Sequence, residues 1–427
     1  MSEPHVELVS ETPVDTTDSL NVSPFEGPEK LLEIWFAESA DAVETIGTEQ
    51  DGRKGLRLVP RQVWEDMLDI VKCKVLSVIE GRETDAYLLS ESSFFVSPHK
   101  LILKTCGTTL NLYGFPRILE IAAEHCNMRT VHRCFYSRKS FMFPERQLGP
   151  HREWVTEVEY LDKLFKGRSD PGLGTGAGYT VGKVNGDHWL LYVIGPEDTG
   201  SDNGSLHENI SAPATSTPSS SPPDYTIEIL MTKLGAPARR PFFYSEAEEG
   251  ATRPTSHEQG AKTANELGID AILPEGSTTL DSFAFEPCGY SANALVQHGA
   301  GEGYFTIHVT PEEGWSYASF ECNVPFGSGL SHDATPREDG MPTLLELIQR
   351  VTAIFQPGNL SITLFVSSEG EVEPGGVAPI ETAQRVFSRA LGIKGYRRTD
   401  KINYEFGGYD LAFASFEKKH KEASGYH

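Results

Sequence analysis

The sequence predicts an α+β fold built on a duplicated unit, with antiparallel sheets backed by helices. Three observations predict it. β-rich segments and amphipathic helices interleave along the whole chain. Each half holds a hairpin, a helix and a strand in that order. Strands also resume directly after every polar interruption, so these interruptions read as excursions from one fold rather than as domain linkers. Such runs put helices on the outer face of antiparallel sheets instead of between parallel strands.

The elements follow in order. Residues 1–23 are polar and acidic, cannot bury a core and are expected to be disordered, which leaves 24–427 as one domain. Residues 27–36, Gly-Pro-Glu-Lys-Leu-Leu-Glu-Ile-Trp-Phe, read as a helix with Pro28 near its first position. Leu31, Leu32, Trp35 and Phe36 share one side at 3.6-residue spacing, and Glu26, Glu29 and Glu33 line another, which reads as a solvated face. Strands are expected at 71–79 and from 100, and a helix at 116–126. A strand follows at 131–136. An amphipathic helix at 152–165 has Trp154, Val155, Val158, Leu161 and Leu164 or Phe165 on its apolar side. Three further strands cover 178–184, 188–195 and 225–231. A hairpin covers 304–310 and 316–322, a helix 341–355, a strand 360–366 and a last helix 381–391. Strands near 403–406 and 411–416 close the chain. The serine- and proline-rich residues 197–223 are expected to form a flexible insertion, and 326–342 and 367–379 shorter loops.

Composition narrows the function. The 427 residues carry 37 Lys plus Arg against 61 Asp plus Glu, a formal net charge of −24. Such a surface repels phosphate backbones and anionic membranes and draws in small cations, so a cationic ligand fits and nucleic acid does not. No apolar run approaches the roughly 20 residues that span a bilayer, and the N-terminus lacks a signal-peptide pattern. Six scattered cysteines form no CxxC pair, so neither a disulfide framework nor a metal site is indicated; the simplest reading is a cytoplasmic protein with reduced thiols. No dinucleotide loop, phosphate loop or nucleophile elbow is present.

One stretch is unusual. Apolar segments at 87–89 and 94–96 are joined by Ser-Glu-Ser-Ser, with no glycine, proline or asparagine to make the turn. This is either an ordinary solvent loop or a serine held where it can attack the preceding carbonyl. In the second case the Glu-Ser peptide becomes an ester, a base removes the serine α-proton, and elimination leaves a dehydroalanine that hydrolyses to a pyruvoyl group. That group is an electron sink made from the chain itself. The chemistry needs oxyanion donors and a histidine base. Cys106, in Lys-Thr-Cys-Gly-Thr-Thr, is either a small buried hydrophobe or a reactive thiol. His308 shares one face of its strand with Thr306 and Thr310, opposite Phe305, Ile307 and Val309, and is either structural or a base. Ser291 follows a Gly-containing turn in Pro-Cys-Gly-Tyr-Ser.

Taken together and in this order, six blocks resemble the eukaryotic S-adenosylmethionine decarboxylases, pyruvoyl enzymes of spermidine and spermine synthesis. They are Phe25-Glu-Gly-Pro-Glu-Lys-Leu-Leu-Glu, Leu89-Ser-Glu-Ser-Ser, Ile102-Leu-Lys-Thr-Cys-Gly-Thr-Thr, Phe135-Tyr-Ser-Arg-Lys, Pro287-Cys-Gly-Tyr-Ser and Thr306-Ile-His-Val-Thr-Pro-Glu. The resemblance runs from about Phe25 to about Phe416, apart from the insertions, and the length of the 197–223 insertion with the acidic N-terminal extension suggests a fungal-type member. Phe94 departs from a methionine common in the family.

The resemblance implies a four-layer αββα sandwich. It implies self-cleavage between Glu91 and Ser92 into chains 1–91 and 92–427, with Ser92 becoming the pyruvoyl group. No pyridoxal phosphate and no metal would be needed. Ser291 would steady the cyclic intermediate and His308 would take the α-proton. The substrate amine would form a Schiff base at residue 92, and Cys106 would return a proton after CO₂ leaves. Glu26 and Glu29 match acidic active-site residues. Phe25 and Phe285 would sandwich the adenine, Glu312 would accept the ribose hydroxyls, and Glu91 would touch substrate. A putrescine site would use Glu33, Asp224, Glu228 and Glu321 around Lys104, with Thr226, Phe365 and Tyr409. Monomer and dimer of the cleaved chains both remain open. The main rival reading is a catalytically poor relative that activates an active partner; Ser92, Cys106 and His308, which such a relative would lose, are all present.

Overall fold

The structure, a computed structural model, describes residues 24–43, 52–168, 170–196, 224–244, 253–299, 301–326, 340–367, 380–381, 385–387, 395–406 and 408–419. The expected N-terminal extension (1–23) and the insertion (197–223) lie outside the described residues. So does most of the two shorter loops.

Two eight-stranded antiparallel sheets form the centre. The first contains β1 (Lys30–Trp35), β2 (Val75–Glu80), β3 (Asp85–Leu89), β4 (Ser92–Val96), β5 (Lys100–Thr105), β6 (Arg133–Lys139), β7 (Ala177–Gly182) and β8 (His188–Ile194). The second contains β9 (Tyr225–Thr232), β10 (Thr278–Ala284), β11 (Tyr290–His298), β12 (Gly301–Thr310), β13 (Tyr317–Cys322), β14 (Asn359–Ser367), β15 (Tyr396–Phe406) and β16 (Tyr409–Lys418). Their spatial orders are β2-β3-β4-β5-β1-β6-β8-β7 and β10-β11-β12-β13-β9-β14-β16-β15. Adding eight to each strand of the first sheet gives the second, so the duplication expected from the element order is complete in topology.

The helices are α1 (Arg61–Ile70), α2 (Phe115–Cys126), α3 (Trp154–Lys166), α4 (Ala236–Arg239), α5 (Ser256–Leu267) and α6 (Leu344–Phe355). Trp64, Met67, Ile118, Ile121, Leu161 and Phe165 from α1 to α3 join Leu32, Ile34, Leu101 and Leu103 in one apolar core. Ala264 of α5 and Leu344, Leu347 and Val351 of α6 join Ile227, Ile229, Ile307 and Phe320 in another. The space between the sheets holds smaller apolar clusters, one of Trp189, Leu191, Leu230 and Phe413 and one of Leu31, Phe95, Ile102 and Tyr304. Helix, sheet, sheet, helix is the order of layers.

The helix expected at 27–36 is a correction: Lys30–Trp35 is strand β1, in the middle of its sheet between β5 and β6. Leu32 and Ile34 enter the helix-side core while Leu31 and Glu33 face the other sheet. Burial on both faces erases the alternation that marks a half-exposed strand, so the apolar spacing imitates a helix. The glutamates are not solvated either; Glu26, Glu29 and Glu33 are all buried. Residues 71–74 precede rather than open β2, because α1 ends at Ile70 and Lys72 turns the chain with φ +65°. Val155 of α3 is 61% exposed, off the expected apolar side. Of the helix expected at 381–391, residues 381 and 385–387 are helical and the others lie outside the described residues. Helices α1, α4 and α5 and strands β10 and β11 went unread.

Candidate active site

The β3–β4 hairpin leaves only Ser90 and Glu91 as its connection, with Leu89 opposite Ser92. Two-residue hairpins need positive φ, which glycine and asparagine supply cheaply. Here the positive φ, +122°, falls on Ser92. A non-glycine residue held there costs about 1–3 kcal/mol and persists only where its surroundings enforce it. Ser92 is buried, and its Oγ finds no hydrogen-bond partner among the described residues. An orphaned buried hydroxyl is uncommon enough to require an explanation. Ser-Glu-Ser-Ser is therefore not a solvent loop.

Strands β11 and β12 carry the groups that face it. Ser291 is the cross-strand neighbour of His308, and Ser291 Oγ lies 2.9 Å from His308 Nδ1. His308 Nε2 lies 2.8 Å from Thr306 Oγ1 and 3.0 Å from Ser93 Oγ. Ser93 donates in turn to Asn293 Oδ1 at 2.6 Å, and Asn293 Nδ2 donates to the Tyr87 carbonyl at 3.0 Å. Burial, helped by the charge of Lys104, holds the imidazole well below its ordinary pKa, so it is neutral. Sequence reasoning singled out Ser291 and His308 but missed Ser93 and Asn293. The alternation that put Thr306 beside His308 was the available signal for the third partner.

Ser92, Ser291 and His308 line a cavity of about 280 Å³. Phe25, Glu91, Cys106, Phe285 and Glu312 line the same cavity, so eight residues spread over the sequence meet in one place. Cys106, directly after β5, donates Sγ–H to Glu91 Oε2 at 3.5 Å and its N–H to the Glu91 carbonyl at 3.1 Å. Burial first, then Glu91 and Glu29, push the thiol well above its usual pKa, which keeps the proton on sulfur. Burial also raises the Glu91 carboxyl. Cys288, not singled out from the sequence, lines the cavity beside Glu312; burial and that carboxylate push its thiol up to about 12.

Glu26 and Glu29 stand behind this wall. Glu26 accepts the N–H groups of Met142 at 2.8 Å and Phe143 at 2.7 Å and borders an adjoining cavity of about 250 Å³ with Phe25 and Glu91. Burial raises its pKa against those two hydrogen bonds. Glu29 accepts the Tyr317 hydroxyl at 2.7 Å and the Ser319 hydroxyl, and Tyr317 lines the main cavity.

A second polar cluster lies deeper between the sheets. Lys104 Nζ meets Glu321 at 2.6 Å and Glu228 at 3.8 Å, and Tyr304 donates to Glu321 at 2.6 Å. Burial and neighbouring carboxylates raise Glu228 to about 8 against the pull of Lys104. Glu33, Thr226, Glu228 and Phe365 line a small cavity of about 40 Å³. Tyr409 stacks on Phe365 and donates to Asp224 at 3.2 Å. The reading of one lysine among the carboxylates needs correcting. Lys100 Nζ lies 3.1 Å from Glu33 and 3.2 Å from Asp224, over the Trp35 ring. Four carboxyls thus face two ammonium groups. Lys100 escaped notice because 27–36 was read as a helix, which hid Glu33 as its neighbour on the adjoining strand of the same sheet.

Comparison with known proteins gives the family. A family model described as adenosylmethionine decarboxylase matches residues 22–417. The S-adenosylmethionine decarboxylase proenzyme of Xenopus laevis is 35% identical, covering 92% of this chain and 95% of that protein. The proenzyme of Saccharomyces cerevisiae is 33% identical over 95% of this chain and 94% of its own length, and that of Onchocerca volvulus 36% identical over 92% and 88%. Because the match spans nearly every strand of both sheets, the chain belongs to the adenosylmethionine decarboxylase family.

Proposed function

We propose that this chain cleaves itself between Glu91 and Ser92 and then decarboxylates S-adenosylmethionine, yielding the aminopropyl donor for spermidine and spermine synthesis. The observation that carries this reading is Ser92: buried, held at φ +122°, its hydroxyl without a partner, on a cavity that His308 and Ser291 share. An unpaired Oγ is free to attack the Glu91 carbonyl, breaking the amide and leaving an ester with a free amine on residue 92. Neutral His308 then takes the α-proton, the Glu91 carboxylate departs, and the remaining dehydroalanine tautomerises and loses ammonia to water.

The orphaned hydroxyl fits a residue that is converted to a pyruvoyl group. That group supplies an electron sink for the pair left when CO₂ departs. The chain's own residues do the rest. Phe25 and Phe285, both on the cavity, offer aromatic faces to an adenine and to a sulfonium charge. Glu312 offers acceptors for ribose hydroxyls. Cys106 holds a proton on Sγ at the cavity wall, kept there by burial, and is the donor to the substrate α-carbon.

Putrescine is the proposed activator. Four carboxyls against two ammonium groups leave the inter-sheet cluster short of positive charge, and a diamine carries two. Lys104 and Glu29 link this cluster to the Tyr317 wall of the main cavity.

The deciding measurement is the denatured mass of the purified chain. Two chains split between Glu91 and Ser92, the larger lighter by one ammonia than hydrolysis would give, support the reading. A single uncut chain, with and without putrescine, would sink it in favour of a non-processing relative.

A further inference from the structure

We propose that Lys30 is a positioning residue for the Cys106 thiol: its buried ammonium fixes the Cys106–Gly107 turn from behind and supplies the positive charge that the sulfur meets on giving up its proton. The proposal rests on the preceding reading in one respect, that Cys106 is a proton donor.

Lys30 opens β1 on the same side of the strand as Leu32 and Ile34, so its side chain runs into the helix layer rather than toward the other sheet. It is completely buried. Its Nζ donates to the Gly107 carbonyl at 3.0 Å and to Gln147 Oε1 at 3.4 Å, and stands 5.3 Å from the centre of the Phe141 ring. Gly107 is the residue next to Cys106. It sits at φ +61°, its N–H donates to the Glu26 carbonyl at 2.9 Å, and a Cβ there would come within 2.9 Å of the Glu91 carboxylate. The ammonium therefore grips the one turn that places the thiol against Glu91.

Its charge matters as much as its reach. The thiol faces Glu91, Glu29 and Cys73, all of which disfavour a thiolate, and Lys30 is the cation that favours one. Lys30 itself faces Glu26 on the segment before β1, Arg138 on β6 and Glu157 on α3, besides the thiol. Its hydrogen-bond partners are a carbonyl and an amide oxygen rather than a carboxylate, so among the described residues no ion pair takes up its field. Taking an ammonium out of water on those terms costs several kcal/mol, and burial lowers its pKa to about 8. When the Sγ–H bond breaks and the proton passes to the substrate carbon, the electron pair stays on sulfur. Lys30 opposes the resulting negative charge at the moment it forms.

The test reads the thiol directly. Only the thiolate alkylates, so the rate of Cys106 labelling by iodoacetamide at pH 7, where Lys30 with its pKa of about 8 still carries its charge, followed by the mass of its peptide from the folded full-length chain, reports its acidity. Lys30→Met and Lys30→Gln are expected to slow labelling roughly tenfold, the effect of about one pH unit in thiol pKa. Lys30→Arg keeps the charge and keeps the rate. Gln147→Leu, which removes the other side-chain donor to Gly107 (3.3 Å) but no charge, leaves the rate unchanged. In the processed enzyme, kcat falls with KM unchanged in the neutral variants. Wild-type labelling rates in Lys30→Met and Lys30→Gln would overturn the proposal, as would an equal slowing by Gln147→Leu. If Lys30→Met does not fold, the polar Lys30→Gln carries the comparison. Labelling needs no turnover, so a chain that neither cleaves nor decarboxylates would refute the proposed function and leave the thiol result to be read separately.

Discussion

Ser291 Oγ and His308 Nδ1 lie 2.9 Å apart across the β11–β12 pairing, and that contact leaves Nε2 to Thr306 and Ser93. With burial keeping the ring neutral, one nitrogen donates and the other accepts. A neutral imidazole fixed at both ends is an oriented base, and the first two predictions follow from it.

Replacing His308 with Ala removes the base but not the Ser92 nucleophile. The chain is expected to stall as an ester at residue 92, with the mass of the uncut protein. Hydroxylamine should then split it after Glu91. A variant that resists hydroxylamine would show that His308 acts before the acyl shift.

Ser93→Ala deletes one of two partners of Nε2 and leaves Asn293 Oδ1 without its donor. A hydrogen bond of this kind is worth about 1 kcal/mol, so cleavage should slow roughly fivefold to tenfold and still reach completion. The time course of band splitting on a denaturing gel checks this. A rate equal to wild type would mean that Thr306 alone orients the ring.

Lys100→Ala strips the ammonium from Glu33 and Asp224. Removing one partner of a buried ion pair costs about 3 kcal/mol or more, and the side chains here are 11–20% exposed, which puts the expected loss near the lower figure. Added putrescine should restore part of the melting temperature, and by more than it raises that of the wild type. Equal shifts in both proteins would place the diamine elsewhere.

The pH dependence of diamine binding has a definite sign. Glu228 has its folded-state pKa raised to about 8, above the ordinary carboxyl value. In its proton-bound form it favours the folded state at low pH, and that contribution is lost as pH rises from about 4.5 to 8. A dication favours the ionised carboxylate. Putrescine should therefore raise the melting temperature more at pH 8.5 than at pH 6.5, measured at constant ionic strength. The reverse order would exclude Glu228 from the site.

Stability also depends on Arg57, which donates to both oxygens of Asp85 at 2.8 and 3.2 Å and to the carbonyls of Gly81 at 2.6 Å and Arg82 at 2.7 Å. Both side chains of the pair are 4% exposed. Arg57→Ala leaves buried Asp85 with only Arg53, 3.5 Å away, and should cost about 3 kcal/mol in a urea titration, the low end for breaking a buried pair. Asp85 sits at the end of β3 away from the β3–β4 turn, so the site of chain cleavage should not change.

The sequence alone pointed to interleaved strands and helices, to the duplication, to the peptide at which a cofactor precursor could sit, and to the eight residues that the fold gathers around one cavity. These are local signals: a turn without turn residues, a strand alternation, six ordered blocks. It misjudged β1, because a strand buried on both faces loses the period-two pattern and Leu31, Leu32, Trp35 and Phe36 fit a helix equally well. That error hid Lys30 and Lys100, whose importance comes from what they touch: Gly107 in one case, Glu33 and Asp224 in the other. Only the tertiary structure decided these pairings, and also that Ser93 and Asn293 support His308 and that Glu26 and Glu29 stand behind the cavity wall. Partners across two packed sheets are set by register and layer, and neither is encoded in the spacing along either strand.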